Sequence, residues 1–137
     1  MKKLIALIFM FLMLSVVNVS LADGVRKRIK FTRGKSSATV SNAVVRGDRD
    51  IYILGAGAGQ TMTVNITSVE KNAVFQIQAP DGSFLPGAGE GDDAMRWSGE
   101  LPASGDYEII VGGTRGNATY KMKSPRGRAA RYQKSRS

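Results

Sequence analysis

From Thr61 to Thr67 the chain alternates polar and apolar residues without a break. Met62, Val64 and Ile66 fall on one parity, and Thr61, Thr63, Asn65 and Thr67 on the other. A period of two puts successive side chains on opposite faces of a strand, whereas an amphipathic helix needs a period near 3.6. The same alternation recurs through the body. Ile29 and Phe31 alternate with Arg28 and Lys30; Ala38 and Val40 alternate with Ser37, Thr39 and Ser41; Ile51 and Ile53 form a further pair. Phe75 and Ile77 sit between Gln76 and Gln78, Tyr107, Ile109 and Val111 share a parity, and so do Ala118, Tyr120 and Met122. Trp97 belongs to a short strand before Gly99. Turn-forming residues separate these runs at Arg33-Gly34, Gly47-Asp48, 55–59, Asp81-Gly82, 86–93, Ser104-Gly105 and 112–116. No helical period and no internal repeat emerge from the body. The pattern predicts an all-β fold: an antiparallel β-sandwich or flattened barrel of seven to eight short strands.

The segment before this body reads as an address. Residues 4–17 are apolar except for Ser15 and follow a basic Met1-Lys2-Lys3 start. A membrane-spanning helix needs about 20 such residues. Ser20 and Ala22 place small residues where a signal peptidase reads them. Residues 1–22 are therefore expected to be a signal peptide cleaved near Ala22, giving a periplasmic or secreted chain with no stable membrane insertion. Such a chain would run from 23 to 137, long enough to bury one core.

There is no cysteine and no histidine. An exported domain without disulfides must be held by packing alone. The same absence excludes a Cys/His zinc centre, a cysteine nucleophile and any hydrolase using histidine as its base.

The net charge of +9 is unevenly placed. Residues 23–50 carry +5, residues 51–122 carry −4, and the stretch 123–137 holds six basic residues and no acid. The domain expected at 23–122 is thus nearly neutral, and the excess belongs to the tail at 123–137, which is expected to be disordered for want of apolar residues. With one aromatic, Tyr132, and an export signal in front, the tail argues for loose contact with anionic surfaces and against a nucleic-acid partner.

Few segments suggest chemistry. Asp48-Arg49-Asp50 and Gly89-Glu90-Gly91-Asp92-Asp93 are acidic; they read as solvated turns, with Ca²⁺ binding as the alternative. Gly55-Ala56-Gly57-Ala58-Gly59 lacks the Gly-Lys-Ser/Thr ending of a phosphate loop and has no helix after it, so it reads as a tight connection. Arg115 lies among glycines in Gly112-Gly113-Thr114-Arg115-Gly116; it either keeps an exposed loop soluble or offers a planar guanidinium that can grip a carboxylate by two bonds. In Leu101-Pro102-Ala103-Ser104-Gly105-Asp106-Tyr107, a small hydroxyl and a glycine enter a strand whose first inward residue is Tyr107. From the residues alone, Tyr107 either fills core, with its hydroxyl on loop backbone, or belongs to a binding loop. No acid–base pair or activated nucleophile can be assembled, so no enzyme and no cofactor is expected.

The body resembles the bacterial periplasmic lysozyme inhibitors, the groups acting on goose-type (g-type) and invertebrate-type (i-type) lysozymes. The resemblance runs through Phe31-Thr32-Arg33-Gly34-Lys35-Ser36-Ser37-Ala38, Ile51-Tyr52, Ala58-Gly59-Gln60, Leu101-Pro102-Ala103-Ser104-Gly105-Asp106-Tyr107 and Thr114-Arg115, spanning about 28 to 122. These families are β-sandwiches. The resemblance implies an inhibitor of a g-type or i-type lysozyme, supplied by a host or a competitor. It implies that the loop of Ser104, Gly105, Asp106 and Tyr107 enters the lysozyme's active-site cleft, and that Arg115 is a second-loop contact. A homodimer is left open. The competing reading is a noncatalytic β-sandwich module that binds a cell-envelope glycan or surface component, and a Ca²⁺-stabilised adhesin-like domain is a third.

Overall fold

The computed structural model describes residues 24–31 and 37–125. The expected signal peptide, the 32–36 part of the Phe31-to-Ala38 block and the basic stretch 126–137 lie outside them. Among the described residues every regular element is a strand: β1 (Arg26–Arg28), β2 (Ser37–Val44), β3 (Asp50–Ala56), β4 (Thr61–Ser68), β5 (Ala73–Gln78), β6 (Arg96–Glu100), β7 (Gly105–Gly113) and β8 (Ala118–Pro125). They form two separate four-stranded sheets, ordered β1-β3-β7-β5 and β2-β8-β4-β6. Of the two shapes the alternation allowed, the chain is the sandwich and not a closed barrel. β8 runs to Pro125, three residues past the boundary expected for the domain, and pairs there with Ser37, Ala38 and Thr39.

The core lies between the sheets, where the alternation predicts it. Met62, Val64 and Ile66 of β4 and Ala118, Tyr120 and Met122 of β8 face Phe75 and Ile77 of β5 and Tyr107, Ile109 and Val111 of β7, all buried. Each large side chain removed from water here contributes about 1.5–3 kcal/mol, and with no cysteine in the chain that burial carries the fold.

Two features depart from the expectation. The first is β1, which pairs parallel to β3 in the register Arg26↔Ile51, Lys27↔Tyr52, Arg28↔Ile53. The alternation of Ile29 and Phe31 with Arg28 and Lys30 points to a strand slightly later in the chain; the strand itself is three exposed basic residues, and Ile29 is buried just past its end. The second is the parity of β3. Its inward set is Asp50, Tyr52 and Leu54, while Ile51 and Ile53 lie half-covered on the outer face. Asp50 is therefore not part of a solvated turn. Its carboxylate is 1% exposed and accepts hydrogen bonds from the Val25 N–H at 2.8 Å, the Asn42 side-chain amide at 3.1 Å and the Tyr120 hydroxyl at 2.6 Å. Because the single Tyr120 proton goes to Asp50, the 2.5 Å contact between the Tyr52 and Tyr120 hydroxyls is donated by Tyr52. Three donors make burial of this carboxylate tolerable. Burial also raises the hydroxyls of both Tyr52 and Tyr120 above the ordinary phenol range, Tyr120 the more strongly.

The edge of the first sheet is guarded on both sides. β1 is short and basic. Beyond β5 the chain from Phe84 to Ala94 folds back along the strand, with the Phe75 N–H donating to Ala94 and the Ile77 N–H to Ala88, both at 2.9 Å. Among the described residues no three carboxylates gather closely enough to hold a metal ion. The acidic 89–93 turn is closed internally, with Asp92 accepting the Gly89 N–H at 2.8 Å.

The strand directions sort the loops between two ends. The β3–β4 connection at 57–60, the β6–β7 connection at 101–104, the turn after β5 at 79–83 and the exit of β1 share one end. The β2–β3, β4–β5 and β7–β8 connections share the other.

Candidate functional site

At the first end two loops are laced into one ridge. The Gly59 N–H donates to the Leu101 carbonyl and the Leu101 N–H to the Gln60 carbonyl, each at 2.8 Å. The Gln60 side chain closes the 57–60 turn by accepting the Gly57 N–H at 2.7 Å. Ser104, at the tip, accepts the Ala58 N–H on its Oγ at 2.9 Å. This orients the hydroxyl while leaving its own proton free to donate, and among the described residues no acceptor meets it. Ser104 is exposed.

Gly105 follows with φ +144°, a conformation side chains rarely adopt. A Cβ built there would meet Pro80 Cγ at 2.9 Å. The glycine thus lets the 79–83 turn close against the bend. Asp106 points outward and is gripped by Arg28 through two parallel bonds, Nη1 to Oδ1 at 3.0 Å and Nη2 to Oδ2 at 2.6 Å. That hydrogen-bonded guanidinium holds the Asp106 carboxyl below the usual carboxylate range and raises Arg28 in turn. One strand pair further along, Arg26 holds Glu108 at 2.6 Å. Both arginines reach across β3 on its outer face.

Tyr107 is fully buried. Its hydroxyl donates to the Ala103 carbonyl at 2.7 Å and accepts the Ala103 N–H at 3.1 Å. Of the roles open to it, the structure places Tyr107 beneath the bend as a brace, with no surface to offer a visitor.

Arg115 is elsewhere. β7 begins at Gly105 and ends at Gly113, so Ser104 and Arg115 flank opposite ends of one strand, roughly 25–30 Å apart at about 3.3 Å per residue. Arg115 is exposed, and its Nη2 donates to the Glu70 carbonyl at 3.3 Å. Its loop hangs on buried Asn72, whose amide donates to the carbonyls of Arg115 and Asn117, each at 3.0 Å. The expected loop residues Ser104, Gly105, Asp106 and Tyr107 thus lie at one end of the sandwich, and Arg115 lies at the other.

Sequence reasoning missed Arg28 and Asn72. For Arg28 a signal existed. Arg26-x-Arg28 and Asp106-x-Glu108 share a spacing of two, which puts each pair on one face of a strand with opposite sign. Asn72 had none, since one asparagine in a turn looks like any other.

No protein-family model matches the chain. A protein of Escherichia coli strain K12 named as an inhibitor of g-type lysozyme is 32% identical over 111 residues, which cover 75% of this chain and 77% of that protein. The chain belongs to the g-type lysozyme inhibitor family. Solved structures of g-type lysozyme inhibitors agree in fold. Aeromonas hydrophila PliG, described as a periplasmic lysozyme inhibitor of g-type lysozyme, matches with a TM-score of 0.62 at 32% identity, covering 74% of this chain and 96% of that one. A mutant of the Escherichia coli PliG gives 0.62 at 25% identity, covering 75% and 98%. The pre-peptidase C-terminal domain of a Bacillus anthracis collagenase, at 14% identity and a TM-score of 0.57, shares the fold alone. The likeness read from the sequence blocks thus resolves onto g-type lysozyme inhibitors, and two of those blocks, Ala58-Gly59-Gln60 and Leu101 to Tyr107, are the two halves of the laced ridge.

Proposed function

We propose that this chain is a periplasmic inhibitor of a g-type lysozyme that occludes the enzyme's active-site cleft with the bend at 104–107. The observation that carries this reading is the exposed Ser104 hydroxyl, oriented by Ala58 with its proton unspent, on a braced ridge in a g-type lysozyme inhibitor family member. Lysozyme clefts hold catalytic carboxyl groups. A hydroxyl donating to a carboxylate forms a charge-assisted hydrogen bond, stronger than a neutral one. The ridge is fastened at Gly59, Leu101, Ala103 and Ser104, so binding orders little that is not already ordered, and less affinity is lost to entropy. Occlusion needs no covalent step, in keeping with a protein that is not a catalyst. Ser104, Gly105 and Asp106 form the contacting surface with Tyr107 as its support; Arg115 is left to a contact outside the cleft.

The test is lysis of bacterial cells by g-type, i-type and hen-type lysozymes, followed by turbidity with and without the purified protein. Inhibition of the g-type enzyme, weakened by Ser104→Ala at unchanged melting temperature, is the expected result. A g-type lysozyme that lyses cells at full rate in micromolar protein would end the proposal, and inhibition of the i-type enzyme alone would reassign the target.

A further inference from the structure

We infer that Arg28 is a second donor in the lysozyme-binding surface, gripping a cleft carboxylate beside the one that Ser104 meets; this rests on the reading of the 104–107 bend as the occluding element. Asp106, two residues after Ser104, faces outward as Ser104 does, and its side chain is about half exposed. A lone carboxylate there would repel the carboxyl groups of a lysozyme cleft. Arg28 removes that repulsion by its fork on Asp106, and it does more than neutralise. A guanidinium carries five N–H donors. The two bonds to Asp106 leave three, including the Nε–H edge that can take a further carboxylate bidentately. The Arg28 side chain is 48% exposed, so that edge is within reach of a partner.

Arg28 is also held still. β1 is registered on β3, and the chain just before it is pinned where the Val25 N–H meets buried Asp50. Gly24 fits there only because it lacks a side chain, since a Cβ would stand 2.1 Å from the Arg49 carbonyl oxygen. Just after it, Ile29 is buried and its N–H donates to the Ile53 carbonyl at 2.8 Å. Gly55, next to the pair on β3, adds no side chain that would cover it. The exit of β1 lies at the same end as the laced ridge, whereas Arg115 stands a full strand away. Ser104 and Arg28 together present a hydroxyl and a guanidinium on one rigid edge, a pattern suited to a cleft with two carboxyl groups.

Inhibition constants of the wild type, Ser104→Ala, Arg28→Ala, Asp106→Asn and the double variant Arg28→Ala/Asp106→Asn against a g-type lysozyme test this. Arg28→Ala and the double variant are expected to weaken inhibition by about tenfold or more, the size of one lost charge-assisted contact. Asp106→Asn is expected to tighten it, by freeing the guanidinium's forked edge for the partner's carboxylate. If the pair is only a structural strap, Asp106→Asn weakens inhibition by the same factor as Arg28→Ala, and the inference falls. It falls equally if Arg28→Ala inhibits like the wild type while Ser104→Ala does not, an outcome that leaves the bend reading intact. A wild type that inhibits nothing removes the bend reading itself.

Discussion

The Tyr107 hydroxyl is bonded twice to the backbone of Ala103, donating to its carbonyl at 2.7 Å and accepting its N–H at 3.1 Å. One side chain thereby ties the first inward position of β7 to the loop four residues upstream. Through that loop it sets the height of Ser104. Tyr107→Phe keeps the ring and removes both bonds. It is expected to cost about 1–3 kcal/mol, because the Ala103 N–H loses its partner. Inhibition of a g-type lysozyme is expected to weaken as the bend loosens. Thermal melting and the inhibition constant, measured on the same sample, check this; Tyr107→Ala is a poorer probe, since emptying a buried aromatic site costs about 3–5 kcal/mol by itself.

Gly105→Ala tests the geometry of the bend differently. The new Cβ must accept a positive φ and displace Pro80, which it would meet at 2.9 Å. A loss of about 1–3 kcal/mol is expected. A melting temperature equal to the wild type's would show that the bend and the 79–83 turn are not packed as described.

The Tyr52–Tyr120–Asp50 chain makes the fold sensitive to alkali. Both phenols keep their protons above the ordinary range when folded, chiefly because burial disfavours the charged form. Below about pH 10 they are protonated in the folded and unfolded chains alike and contribute no pH dependence. Above it the unfolded chain releases those protons and the folded chain does not, so stability falls as pH rises. Phenolate absorbance should appear for these two tyrosines only with the unfolding transition. Early titration of all tyrosines in folded protein would contradict the buried network. Tyr120→Phe, which takes one of three donors from Asp50, is expected to cost about 1–3 kcal/mol.

Asn72 holds the opposite end. Its buried amide bonds two carbonyls of the β7–β8 loop, and its own carbonyl accepts the Thr114 N–H at 2.8 Å. Asn72→Ala is expected to cost about 1–3 kcal/mol and to loosen the loop that carries Arg115. Inhibition, measured well below the melting temperature, is expected to weaken much less than in Ser104→Ala, as suits a contact outside the cleft. A loss as large as that of Ser104→Ala would bring the Arg115 end into the occluding element.

Much of this protein could be read along the chain because strand parity is a local property. Met62, Val64 and Ile66, or Tyr107, Ile109 and Val111, announce their shared face through immediate neighbours, and the turn residues mark where each face ends. The reading failed on β3, where both parities carry apolar residues and the inward one begins with a carboxylate. Ile51 and Ile53 look like core until Tyr120, Asn42 and Val25 arrive from distant sequence to satisfy Asp50.

The candidate site divides the same way. Its residue types and the tight bend at Ser104-Gly105 were legible, since a hydroxyl, a glycine and an aromatic at that spacing say what the backbone does there. That Tyr107 is spent on Ala103, that Arg28 lies on Asp106, and that Arg115 stands at the far end of β7 follow from strand order and register. The sequence by itself determined the faces, the turns and the chemistry available. Only the tertiary structure decided which groups meet, because a hydrogen bond between residues separated by 68 to 78 positions, as in Tyr52–Tyr120 or Arg28–Asp106, depends on how sheets assemble and leaves no periodic trace in the chain.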